Sequence, residues 1–177
     1  MSLFASILVP LDGSVAAAQS LGCATWLAAR LDARLHILSS TPRPLPARDE
    51  LARLRVPEEH WSLVELHQAP AYPGASILAA IADLDVRLVV MSARGAALNH
   101  EASPDPAAKA VGHVTRCVVE RCSIPVVLIP SGYRESLPWE TLLVPLSGEV
   151  AGDEALALAA RLGAALDLTV RVIHVSE

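Results

Sequence analysis

Three short runs in this chain are apolar at every position rather than at every second one: Ile7, Leu8 and Val9; Leu88, Val89, Val90 and Met91; and Val126 through Ile129. A strand with apolar side chains on both faces needs cover on both faces, which points to a parallel sheet between two helix layers. Between the runs the period lengthens. Leu21, Ala24, Leu27, Ala28 and Leu31 recur at spacings of three and four, which predicts a helix from about Ser14 to Asp32, with Leu35, Ile37 and Leu38 as the next strand. Pro42, Pro44 and Pro46 mark a loop, residues 49–55 a short helix, and Leu63 to Leu66 a further strand. Pro73 opens a helix that carries Ile77, Leu78 and Ile81 and stops before Asp85. Residues 98–106, with two prolines, read as an irregular loop, and residues 107–121 as a helix turning Val111, Val114 and Val118 inward. The expected class is α/β, a parallel sheet with helices on both faces.

The segment from Thr141 onward repeats the N-terminus without a gap. Leu8, Val9, Pro10, Leu11 and Gly13 return 135 residues later as Leu143, Val144, Pro145, Leu146 and Gly148. Val15, Ala16, Leu21, Ala24, Leu27, Ala29, Leu31 and Asp32 return as Val150, Ala151, Leu156, Ala159, Leu162, Ala164, Leu166 and Asp167. The apolar stripe stays in register, and the strand from Val170 to Val175 ends the repeat. The expected organisation is one complete domain over residues 1–131, a linker over 132–138, and over 139–177 a partial β-α-β second copy. A β-α-β unit by itself leaves strand edges and an apolar face uncovered, so the partial copy is expected to dock on another chain or to belong to a longer one.

Composition narrows the function classes. Of 177 residues 53% are hydrophobic but only 3% aromatic, and the net charge is −5, which excludes a disordered chain. The longest uncharged stretch, residues 13–29, is rich in Gly, Ser and Ala and does not resemble a membrane span. Residues 1–12 carry no basic leader before Pro10 and Asp12, so a cytoplasmic location is expected. Arg residues are scattered and Lys109 is the single lysine, which argues against nucleic acid as a partner. Cys23, Cys117 and Cys122 form no CxxC pair and read as buried small side chains in a reducing compartment.

Taken together, ILVPLDGS (Ile7 to Ser14), VMSARG (Val90 to Gly95) and PVVLIP (Pro125 to Pro130), the last preceded by Val111-Gly112-His113-Val114, resemble the universal stress protein family over nearly all of residues 5–131. The resemblance implies a doubly wound five-stranded parallel sheet in the order 3-2-1-4-5, with ligands bound beyond the carboxyl ends of strands 1 and 4, where the order reverses. Nucleotide-binding members carry G-x2-G-x9-G-[ST] after strand 4, a pattern in which backbone amides and a helix N-terminus approach phosphates. Carried over to this chain, it implies a pocket for ATP or AMP made by Pro10, Leu11, Asp12, Ser40, Ser92, Arg94, Gly95, Gly112, His113 and Val114. The motif is altered. Ser92 stands at the first glycine, 16 residues rather than nine separate Gly95 from Gly112, and His113 replaces the Ser or Thr. The longer segment brings Glu101 and Asp105 toward the phosphate position, each unfavourable by about 1 kcal/mol. In the second copy Ser147 replaces Asp12.

Other readings of single residues are plainer. Asp12 is equally suited to cap the following helix. His100, Glu101, Asp105 and His113 offer metal-ligand chemistry without a metal-site spacing, and no metal is expected for the chain. Ser14 lacks the G-x-S-x-G of a nucleophile elbow. His36 and His174 read as strand histidines with satisfied partners. The expected function is a non-enzymatic, cytoplasmic stress-response module with a modified adenine-nucleotide pocket. Its alternative is a structural pairing module that binds no nucleotide. The resemblance also implies a homodimer or pseudo-dimer, formed through the strand Val126 to Ile129 or through the partial copy.

Overall fold

The computed structural model describes residues 4–69, 72–95, 111–130, 132–133, 137–146 and 150–174, with the side chains of 150 and 151 excepted. The chain divides into two compact units, Met1–Glu135 and Ser136–Glu177. In the first unit the strands are β1 (Ser6–Leu11), β2 (Arg34–Ser40), β3 (Val64–Ala69), β4 (Leu88–Ser92) and β5 (Val126–Ile129). The helices are α1 (Val15–Leu31), α2 (Ala47–Arg53), α3 (Pro73–Asp83) and α4 (His113–Arg121), with a 3-10 turn at Glu58–Leu63. All strands are parallel in the order β3-β2-β1-β4-β5, the doubly wound sheet expected.

The uninterrupted apolar runs are the central strands, and each is covered on both sides as their composition demands. Leu8, Leu38, Val89 and Met91 form one cluster with Ile77 and Ala80 of α3 and Val118 of α4. The alternate residues Ile7, Val9 and Ile37, none of them exposed, point to the other face, where α1 packs against β1 and β4 through its stripe of Leu21, Ala24 and Leu27. Burying a side chain of this size contributes about 1.5–3 kcal/mol.

Two local expectations change. Helix α1 is capped by Ser14, whose Oγ accepts from the Ala17 amide at 3.1 Å, and not by Asp12, which instead accepts from the Ser14 amide at 2.9 Å. Gly13, at φ +84°, inserts one left-handed residue between the two oxygen side chains, so the second of them reaches the helix. The helix expected over 107–121 begins only at His113. Gly112 is its N-cap with extended backbone, and neither Val111 nor Gly112 is helical. Residues 107–110, and the 98–106 loop with Glu101 and Asp105, lie outside the described residues.

The second unit holds β6 (Thr141–Leu146), α5 (Val150–Leu166) and β7 (Thr169–His174), with β6 and β7 parallel. It follows β1-α1-β2 position by position at the offset of the sequence repeat. Asp32 and Asp167 both end their helices in the left-handed region, at φ 50° and 58°. The hydrogen bond from the Ala33 amide to the Ala28 carbonyl has its counterpart from Leu168 to Gly163. The burial differs: Leu143 is 54% exposed and Ile173 45%, where the corresponding Leu8 and Leu38 are at 0% and 3%.

Because the Ser14 hydroxyl caps the first turn, Ser14→Ala should lower stability by about 1 kcal/mol. Urea unfolding would show a lower midpoint at an unchanged slope.

Candidate functional site

The strand order reverses between β1 and β4. These two strands pair at Ile7↔Leu88 and Leu8↔Val89, three residues short of the carboxyl end of each. Beyond the ladder the chain leaves β1 for α1 on one face and β4 for the other side of the sheet, the position at which doubly wound sheets bind their ligands.

One lip is the turn after β1. Pro10 and Leu11 end the strand, Leu11 buried, and Asp12 follows, exposed. This turn is held from the end of α2 and the residues just after it. Arg55 Nε donates to the Gly13 carbonyl at 3.2 Å, and a Cβ on Gly13 would lie 3.1 Å from Arg53 Nη1. Arg53 is fixed in turn by a buried carboxylate: its Nε donates to Glu50 Oε2 at 2.8 Å and its Nη2 to Glu50 Oε1 at 2.6 Å. Ser39 Oγ also donates to Glu50 Oε1 and accepts from Arg53 Nη2 at 3.1 Å. The Arg53 hydrogen bonds hold the Glu50 carboxyl below its ordinary value despite the opposing effect of burial, with Ser39 assisting. Glu50 and, more weakly, the Asp12 charge raise the Arg53 guanidinium. A fixed guanidinium therefore stands beside Asp12.

The other lip runs from Ser92 to Gly95. Buried Ser92 ends β4, and its carbonyl accepts from Thr115 Oγ1 at 3.1 Å. The Gly112 amide donates to the Ala93 carbonyl at 2.7 Å. These two bonds set the start of α4 against the end of β4. Gly112 has no side chain with which to cap the helix, so among the described residues no side-chain cap meets the first turn, whose amides of His113, Val114 and Thr115 stand at the positive end of the helix dipole. Gly95 closes on the first lip: a Cβ there would lie 2.5 Å from Asp12 Oδ2, so the carboxylate occupies the space any larger residue would need.

Of the residues singled out in the sequence, Asp12 and Gly95 are brought into contact, and Ser92, Arg94 and Gly112 lie along the facing lip, Gly112 within 3.6 Å of Arg94 through a Cβ position. Pro10 and Leu11 supply backbone at the rim. Ser40 ends β2 one residue past Ser39, the register partner of Leu11. The Val114 side chain packs against the apolar cluster, so its amide is what it offers, and the His113 side chain is exposed. Sequence reasoning missed Ser39, Glu50 and Arg53. The i,i+3 spacing of Glu50 and Arg53 was visible, but not that the carboxylate is buried under β2.

Among described residues no helix is long and apolar enough to cross a membrane.

No family model matches the sequence, and neither does any curated protein. Solved structures do match. The universal stress protein UspA from Lactobacillus plantarum is 24% identical with a TM-score of 0.54, the match covering 71% of this chain and 97% of that one. A universal stress protein crystallised in complex with cAMP is 19% identical at 0.54, covering 72% and 97%. A putative universal stress protein from Pseudomonas aeruginosa is 19% identical at 0.66; there the match extends over 97% of this chain and 61% of the other. The chain has the universal stress protein fold.

Glu50 with its lowered folded-state value stabilises the native chain above the ordinary glutamate value of 4.5, and that stabilisation is lost as pH falls through the folded-state value. Glu50→Gln should therefore reduce Tm most near neutral pH, by an amount equivalent to about 1–3 kcal/mol. Melting curves of the two proteins should converge as the pH is lowered.

Proposed function

We propose that the first unit is a stress-response module of the universal stress protein type that takes an adenine nucleotide, ATP or AMP, in the crevice between the β1 and β4 lips. Its action is conformational or associative rather than catalytic. The observation that carries this reading is the placement of the α4 N-terminus, without a side-chain cap among the described residues and fixed to the end of β4 through Gly112 and Thr115, across from Asp12. First-turn amides favour an anion such as a phosphate, and a carboxylate accepts hydrogen bonds from ribose hydroxyls. Arg53 and Arg94 add positive charge on the two lips. That a protein of the same fold was crystallised with cAMP supports an adenine nucleotide over other anions.

The pocket in this reading is a modified one. The Gly112 amide is committed to the Ala93 carbonyl, so the phosphate contacts fall to the amides that follow it. Ser92 in place of a glycine is accommodated because its side chain is buried at the end of β4.

ATP, AMP and cAMP at millimolar concentration should raise Tm, since a ligand that binds only the folded state stabilises it by mass action, by about 2.7 kcal/mol at a hundredfold excess over Kd. Asp12→Ala and Gly95→Val should abolish the shift. The absence of any shift in the unsubstituted chain would remove the nucleotide from this reading.

A second reading, pairing without nucleotide, is favoured by the bare face of the second unit. Leu143 and Ile173 are exposed where Leu8 and Leu38 are core, and Arg171 lies between them on the same face. Such a face is suited to a second copy of this chain or another apolar surface. The double substitution Leu143→Lys, Ile173→Lys should shift sedimentation of the full chain toward the monomer. An unchanged particle would exclude this face from association.

A further inference from the structure

The sheet carries a cluster that the crevice does not use. His36 lies on β2, and its register partner on the edge strand β3 is Glu65. His67 follows Glu65 by two residues and so shares its face. His36 Nδ1 lies 3.0 Å from His67 Nε2 and 3.2 Å from Glu65 Oε2, and one ligand atom from each residue lies within 4.8 Å of the others. Nitrogens and oxygens held about 2.0–2.1 Å from one zinc ion in tetrahedral array are about 3.3 Å apart, so the two short separations are those of a shared metal centre.

From this juxtaposition we propose that His36 Nδ1, His67 Nε2 and a Glu65 carboxylate oxygen form a three-ligand site for a divalent transition metal of the zinc class, with a fourth position open to water. Two imidazoles and a carboxylate are a ligand set that zinc takes, and the sheet presents them without rearrangement of the backbone. Two groups with lone pairs, His67 Nε2 and Glu65 Oε2, converge here on His36 Nδ1, so three potential ligand atoms are gathered at one point. Burial keeps the His36 imidazole below its ordinary value, against the attraction of Glu65 and with the assistance of His67 and Arg34. His36 is 2% exposed and Glu65 57%, which gives the ion a rigid inner ligand and an entry from solvent. The site would clip the edge strand β3 to β2.

The test uses the full chain, freed of metal by chelator and titrated with Zn2+, and with Co2+ as a spectroscopic probe. One equivalent of Zn2+ should bind per chain and raise Tm, and Co2+ should give the intense visible bands of a four-coordinate centre, bleached by Zn2+. His67→Gln and Glu65→Gln should each weaken binding tenfold or more. The double variant should lose the Tm shift and the cobalt bands, while retaining His60, His100, His113 and His174 as the background. Both substituted residues are on the edge strand and at least partly exposed, so the variants can be checked for an unchanged far-UV spectrum. Zn2+ binding by the unsubstituted chain no tighter than by the double variant would overturn the proposal. So would a Tm shift that survives both substitutions.

Discussion

The site depends on a ladder that stops early. β1 and β4 are held together at Ile7↔Leu88 and Leu8↔Val89, deep in the sheet where both strands are buried on both faces, while their carboxyl ends run on without that pairing. A parallel sheet in which helices leave on both faces must part somewhere, and it parts where the strand order reverses. The two lips meet again at one point, the Asp12 carboxylate against Gly95. The helix that points its first turn at this opening is not aimed by a flexible loop. It is bonded to the end of β4 through the Gly112 amide and the Thr115 hydroxyl, so the direction of its dipole is fixed by the same strand that forms the lip.

What the sequence made legible was whatever is decided locally. Apolar runs without alternation marked β1, β4 and β5, because a strand buried on both faces has no polar side to show. The start of α1 was legible to within one residue but its cap was not, since Asp12 and Ser14 are both good caps and only the left-handed Gly13 between them decides which one reaches the helix. The start of α4 was misplaced for a related reason: alanine-rich sequence before Val111 favours a helix by propensity, yet Gly112 is extended where its amide bonds to the carbonyl of Ala93, nineteen residues upstream and just past the end of β4. The Ser39, Glu50 and Arg53 network was invisible for the same reason in stronger form. A charged glutamate reads as surface, and its burial is imposed by β2 passing beneath α2.

The internal repeat separates these two kinds of information within one chain. Thirteen identities carry over the whole β-α-β geometry, down to the left-handed aspartate and the hydrogen bond that follows it. They do not carry over burial, because the cover on Leu8 and Leu38 comes from α3 and α4, which have no counterpart among the described residues of the second unit. Local sequence therefore specifies the conformation of the motif, and nonlocal elements decide whether its apolar face is a core.

The position of His36 shows that the two copies have adapted to that difference. Its counterpart at the repeat offset is Arg171, exposed on β7, where β2 has a buried histidine. A neutral imidazole can be buried under helices with modest desolvation, whereas a guanidinium cannot be left there without a partner. Arginine at 171 therefore fits a face that stays wet or meets a partner rich in acceptors. Histidine at 36 fits a covered face, and it faces Glu65 and His67 on a strand that the second unit's two-stranded sheet does not contain. The His36, Glu65 and His67 cluster is thus a property of the complete sheet rather than of the repeated motif. It arises only where β3 is added beside β2, and β3 in turn is an edge strand that contributes two of the three residues, Glu65 and His67.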